Sequence, residues 1–466
     1  MTYNSNIIAE LSLQQARYLK RDKGVALFMR VELEMNNPDV VALEKAIAFF
    51  VKRHESLRTI FPLIDGEFKQ VILPADERFA LEFIDTNTLH KSYEEIRTEY
   101  FENAGVWFVD KQKDPLTRFF LFKLAGEKYM FLFLVDHISC DDWSMEKIIK
   151  KELMTFYQCY SDGGEPDIQP LKIQLRDYAE QRKTWISEKG EELKKYWKAK
   201  TSGYDYIFNI SDFYEGYFLR NNQRLLAEKT IGKAETQKEL FAIYDHPQAL
   251  LYTTKISGQH FNAITAFAKN NNCTISSIIY ASLSILLYSY TGKRKTLIAA
   301  IIADRFVSEN QLIIGNLLGE AYFTGEFSDR LVINDVIDQT FYDILTNCQN
   351  LIINYDYLDL DRAELRASCD MVVNYIKYYE NLPDITEIQE NHIDTDINHY
   401  PLKNTACEYD NGFILYWKYN KLLFDKELIE DIVECHQNIL EFMIKNDDKT
   451  IGELKNYLKA KATTTI

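Results

Sequence analysis

The 466-residue chain has no excess of positive charge, no paired-cysteine spacing and no long uninterrupted apolar run, and each absence excludes a class of protein. Asp and Glu number 70 against 54 Lys and Arg, for a formal net charge of -16. Nucleic acid and anionic membrane both require a basic footprint, so neither is an expected partner. The one concentration of lysine, Lys189, Lys194, Lys195, Lys198 and Lys200, reads as a solvated helix face. The seven cysteines are scattered, odd in number and never spaced as Cys-x-x-Cys. That pattern supports neither a disulfide framework nor a zinc site, no metal is expected, and a reducing cytoplasm suits it. MTYNSNIIAELSLQQ lacks a basic stretch followed by an apolar core, so no secretory signal is expected. The longest apolar run, Ile275 to Leu287, is broken by serines and reads as a buried helix, not a membrane span. No short-period repeat exists, which removes solenoids and propellers. The last six residues, 461–466, are expected to form a frayed tail.

What is present is a globular composition, 46% hydrophobic and 27% charged, in a chain too long for one compact core. Apolar residues from Val40 to Val51 recur at helical spacing. Asp65-Gly66 marks a turn before a returning strand. Leu116 to Leu124 and Tyr129 to Val135 read as strands, the second so apolar that both its faces must be covered. An amphipathic helix follows from Met145, and a long one from about Ile173 to Trp197. The second half repeats the style. Leu251–Ile256, Thr296–Ile302, Met371–Tyr375 and Phe413–Tyr419 are expected strands. Gly258–Asn270, Ser276–Thr291, Val332–Leu351 and Leu428–Met443 are expected helices. The fold class is therefore α/β in two similar halves, meeting near Ser202-Gly203. Aromatics make up 14% and are spread through these elements, as core packing requires.

The segment Val135-Asp136-His137-Ile138-Ser139-Cys140-Asp141-Asp142-Trp143-Ser144 lies where a buried strand gives way to a helix. Such a junction fixes the backbone and exposes side-chain tips. His137 and Asp141 have His-x-x-x-Asp spacing. An imidazole with an ordinary pKa of about 6.5 can take a proton from an attacking amine or hydroxyl. Asp141 either contacts that histidine or binds an arginine that holds the loop. Arg58 is the first candidate partner and Arg305 the second, since a buried carboxylate needs one. Asp136 either orients His137 or bonds backbone amides. Trp143 reads as core, Ser144 as the helix cap, Cys140 as buried filler and His54 as structural.

The sequence resembles the condensation domains of nonribosomal peptide synthetases, in elements that follow one another in the family's order. Leu11 to Arg17 is similar to the opening Ser-x-x-Gln-x-Arg element, and Arg53-His54-Glu55-Ser56-Leu57-Arg58-Thr59-Ile60-Phe61 to the Arg-His-Glu-x-Leu-Arg-Thr-x-Phe element. Asp136 to Asp142 stands where the family has His-His-x-x-x-Asp-Gly. Arg176 to Ala179, Tyr290 to Gly292, Asp304-Arg305, Ile314 to Gly319 and Tyr419 to Asp425 resemble the later elements.

The resemblance implies two chloramphenicol-acetyltransferase-like lobes in a V-shaped pseudo-dimer with a central tunnel. Residues 1–185 would form the N-terminal lobe with the active-site motif, 186–203 a linking helix and 204–466 the C-terminal lobe. It implies amide formation between a carrier-bound acyl or aminoacyl thioester and an amine, with His137, Asp141 and Asp136 as catalytic residues. Arg58, Arg305, Asp142, Trp143 and Ser144 would support the motif. No bound cofactor is implied; substrates would arrive on the 4'-phosphopantetheine arms of carrier proteins. The chain reads as free-standing, monomeric and cytoplasmic, so carriers would act in trans, or the acceptor would be a free amine.

Three departures stand out: Asp136 replaces the first motif histidine, Asp142 the glycine, and Gly319 the asparagine of the Ile-Gly element. Asp136, Asp141 and Ser144 spell Asp-x-x-x-x-Asp-x-x-Ser, a signature similar to that of heterocyclization domains. The missing Phe-Pro-Leu-Thr and Gly-Asp-Phe-Thr elements and the retained His137 favour condensation. An acyl-CoA-dependent acyltransferase and a catalytically silent carrier-docking module stay open.

Overall fold

The computed structural model describes residues 6–20, 28–76, 79–89, 91–93, 95–96, 110–204, 208–221, 249–353, 355, 369–379, 381–383 and 401–464. They form two compact units, Met1–Gly190 with Ala303–Gly319, and Glu191–Ile302 with Glu320–Ile466. The division falls inside one helix, and the first unit takes in a segment that the sequence reading assigned to the second lobe.

In the first unit, β1 (Phe28–Asn36), β2 (Leu81–Asp85), β3 (Thr117–Lys123) and β4 (Lys128–Asp136) form a sheet in the order β1-β4-β3-β2. β4 is antiparallel to both neighbours, and β2 runs parallel to β3. Alternate side chains of β4 serve different cores. Phe131, Phe133 and Val135 pack with helix α1 (Val40–Arg53), while Leu132 and Leu134 pack with Phe120 and Phe122 on the other side. Period-2 alternation with no polar member is what a strand buried on both faces requires. At the start of α1 the Asp39 carboxylate accepts the Ala42 N–H at 2.9 Å, and its buried face is Leu43, Ala46, Ile47, Phe50 and Val51. The expected hairpin is present: Asp65 and Gly66 both have positive φ, between Leu63–Ile64 and Glu67–Phe68.

After β4 a π turn, Ser144–Ile149, leads into helix α2 (Lys150–Ser161), where the sequence reading expects α-helix throughout. Helix α3 (Leu175–Thr201) then carries the chain onward.

In the second unit, β5 (Ala249–Ser257), β6 (Lys295–Ala303), β7 (Leu318–Glu326), β8 (Met371–Lys377), β9 (Leu402–Tyr409) and β10 (Gly412–Asn420) form a mixed sheet in the order β5-β10-β9-β8-β6-β7. Helix α4 (Ile275–Thr291) is the apolar run, capped by Thr274 and closed by left-handed Gly292, and its residues are mostly buried. Amphipathic α5 (Lys426–Lys445) completes this core. The chain ends in α6 (Ile451–Thr464), so the expected tail at 461–466 is helical as far as Thr464. Its apolar residues Ile451, Leu454 and Leu458 are buried, which anchors the helix. Among the described residues no single helix is long and apolar enough to cross a membrane.

Candidate active site at the end of β4

β4 ends at Asp136, whose N–H donates to the Leu116 carbonyl at 3.0 Å. The loop then turns tightly: the Asp136 carboxylate accepts the Ile138 N–H at 2.9 Å and its carbonyl accepts the Ser139 N–H at 2.9 Å. Ile138, Ser139 and Cys140 are buried, while His137 between strand and loop is partly exposed.

His137 Nδ1 lies 2.6 Å from the Cys140 carbonyl oxygen. A carbonyl can only accept, so Nδ1 carries the proton. In the neutral ring Nε2 therefore holds the lone pair. The His137 carbonyl accepts from Asn316 Nδ2 at 3.1 Å, a second hold on the same residue.

Asp141 is fully buried, and its hydrogen bonds go to groups other than the imidazole. Its carboxylate accepts from Arg305 Nη2 at 2.8 Å on both oxygens. It also accepts the Leu317 N–H at 3.1 Å, the Ser144 N–H at 2.8 Å and the Ser144 hydroxyl at 2.7 Å. Arg305, 4% exposed, donates further to the carbonyls of Asn310, Ile313 and Gly315. With the Ser144 hydroxyl at 2.9 Å, five acceptor groups surround the guanidinium and four donors the carboxylate, which offsets the desolvation of both charges.

Two expectations are corrected here. Arg58, the first candidate, is not the partner of Asp141. It donates to the Leu73 carbonyl and answers Glu55. Ser144 is not the cap: helical backbone starts at Asp142, and Asp141 caps it by accepting the N–H three residues on. The Ser144 hydroxyl instead joins Asp141 to the Gly315 N–H at 3.1 Å. A Cβ at Gly315 would stand 2.6 Å from a methyl of Leu175, so a larger residue there needs that side chain to shift.

Trp143, expected in the core, is only half-buried against it; its indole N–H donates to the Gln311 carbonyl at 3.1 Å, and Asp142 is half-buried beside it. Cys140 is fully buried, and burial, with Asp141 and Asp142 adding to it, pushes its thiol pKa well above the usual range. Buried His54 bonds Glu152 at 2.7 Å, with Arg53 on the same carboxylate at 3.1 Å. Burial lowers the His54 pKa, against the opposing pull of Glu152.

The matched elements at 11–17, 53–61, 176–179, 304–305 and 314–319 lie in this unit, while 290–292 and 419–425 lie in the second. Ser12 and Gln15 cap one another's backbone N–H groups at 3.1 and 2.8 Å. Gln14 donates to the Tyr178 hydroxyl, which donates to Asp304 at 2.8 Å. Glu55 pairs with Arg176 at 2.7 Å. Sequence reasoning missed Asn316 and Lys111, the second of which places Nζ 3.7 Å from Asp136.

A family model described as "Condensation domain" matches residues 12–464. A linear gramicidin synthase of Brevibacillus parabrevis is 25% identical over 444 residues, which is 89% of this chain but only 8% of that relative. The chain thus spans a small part of the curated relatives it matches. The condensation domain of Monacolin K polyketide synthase MokA superposes with a TM-score of 0.71 at 14% identity, covering 96% of this chain and all of that one. The epimerization domain from the third module of tyrocidine synthetase B gives 0.70 at 13% identity, covering 97% and 99%. A condensation and an epimerization domain share this fold, so the fold alone does not select the reaction.

Proposed function

The chain belongs to the condensation-domain family, and from that membership we propose that it forms an amide bond in natural-product biosynthesis, between an acyl or aminoacyl thioester on a carrier protein and an amine. The carrying observation is the His137 ring: Nδ1–H on the Cys140 carbonyl leaves Nε2 as the acceptor. In the proposed step the amine nitrogen attacks the thioester carbonyl and gives a proton to Nε2 as the C–N bond forms. The C–S bond then breaks, and the leaving thiolate takes that proton. Base catalysis of this kind contributes about 10²–10⁴-fold, and holding both reactants in place adds to it.

Asp141 and Arg305 act by holding the loop, while Asp142 beside it favours a cationic acceptor. Carriers deliver both groups on phosphopantetheine arms, or the amine arrives free; the protein acts as a monomer in the cytoplasm with carriers in trans. Asp136, in place of the family's first histidine, favours one second reading, condensation followed by cyclodehydration of Cys, Ser or Thr. Intact-mass analysis of loaded donor and acceptor carriers after incubation with the chain separates them. Amide formation moves the acyl mass onto the acceptor, cyclodehydration removes one further water, and no transfer from any carrier or acyl-CoA donor contradicts both.

A further inference from the structure

A buried lysine stands beneath the His137 loop, and the proposed reaction gives it no part. Lys111 is 5% exposed, and its carbonyl accepts the Phe61 N–H at 2.7 Å, so its backbone is pinned. Its ammonium lies 3.7 Å from Oδ2 of Asp136, a side chain with no exposure, while Oδ1 accepts the Ile138 N–H. Either charge alone at this depth would be costly; together they compensate. Asp136 stands where the resembling family has a histidine, and a carboxylate there needs a counter-charge that a neutral imidazole would not. Burial pushes the Asp136 pKa up, and Lys111, the Ile138 amide, Tyr18 and His137 oppose it. Among the described residues, Lys111 from the segment before β3, Tyr18 from the helix Leu13–Lys20 and His137 from the loop itself are the titratable groups facing it. An ionised carboxylate holds an amide more strongly than a neutral carboxyl does.

We propose that Lys111 is a positioning residue of the active-site loop: by pairing with the carboxylate that holds the Ile138 amide, it fixes the turn that aims His137. This rests on His137 as the reacting group, and its test has one arm independent of that reading. Labelling the full chain with carbonyl-¹³C histidine and ¹⁵N isoleucine selects the two His-Ile pairs, His137-Ile138 and His392-Ile393. The signal altered by His137→Gln is that of Ile138. In wild type this signal is followed from about pH 5 to about 8, where Lys111 lowers the Asp136 pKa that burial raises. Lys111→Met moves it to higher field and shifts the Asp136 titration step to higher pH. Lys111→Met/Asp136→Asn removes the step, and Lys111→Arg keeps the wild-type signal. In the amide-forming assay Lys111→Met lowers kcat at least roughly tenfold, with KM for the amine changed less than about twofold. A folded Lys111→Met protein with the wild-type signal across that range, or with wild-type kcat, overturns the proposal. If Lys111→Met does not fold, a double variant that folds supports the pairing, and one that also fails to fold overturns it. If wild type itself makes no amide, the reaction falls, and the Ile138 signal still decides the role of Lys111.

Discussion

At the scale of single residues, the site separates into a group that can react and groups that hold it. His137 is partly exposed with Nε2 bearing the lone pair, whereas Asp141 is sealed beneath it on Arg305. Asp141→Asn leaves the guanidinium buried without its counter-charge. We expect a loss on the order of 3 kcal/mol in unfolding free energy, read from urea denaturation. An unfolding midpoint equal to that of wild type would contradict the structural role. The sequence located this loop but chose between Arg58 and Arg305 wrongly. That choice depends on a contact across 164 residues of chain, made because 303–319 belongs to the first unit. Lys111 was equally invisible, since no local spacing ties it to Asp136. Asn316 lay inside a recognised element, but nothing in its neighbours announced a bond to the His137 carbonyl.

Among the elements, β4 and α4 were legible because their apolar runs had no competing reading. β4 alternates between two cores and α4 is buried for most of its length. The strands Leu318–Glu326 and Leu402–Tyr409 were not read, since Gly319 and Gly325 in the first and the consecutive polar residues Lys403, Asn404 and Thr405 in the second obscure the period. The π turn at Ser144–Ile149 was invisible as well; such turns are rare and concentrate at functional sites. Helix α1 supplies the apolar face that supports β4, and its first turn depends on Asp39. Replacing Asp39 with Ala should cost about 1 kcal/mol of stability without changing the reaction. Thermal unfolding measures it, and an unchanged melting temperature would show that the cap is dispensable.

For the whole molecule, family and fold class were readable from ordered motifs, while the apportioning of 303–319 to the first unit was not, because only contacts reveal it. Stability of the whole also carries a buried titrating group. His436 is fully buried against Ser282 at 2.8 Å, and burial pushes its pKa from 6.5 down to about 3. The folded protein keeps it neutral, whereas the unfolded chain protonates it below about pH 6.5. Its contribution is therefore complete above that pH and is lost as pH falls toward about 3, with a slope of up to about 1.4 kcal/mol per pH unit. Urea unfolding at about pH 5 and about pH 7 should show a smaller pH difference for His436→Leu than for wild type; parallel behaviour would contradict the assignment.

The proposed reaction turns on one imidazole nitrogen accepting a proton from an amine. Single-turnover transfer from a loaded donor carrier, wild type against His137→Ala at matched melting temperature, tests it most directly. We predict a fall of at least about 10²-fold in the rate of amide formation. Equal rates for the two proteins would contradict it.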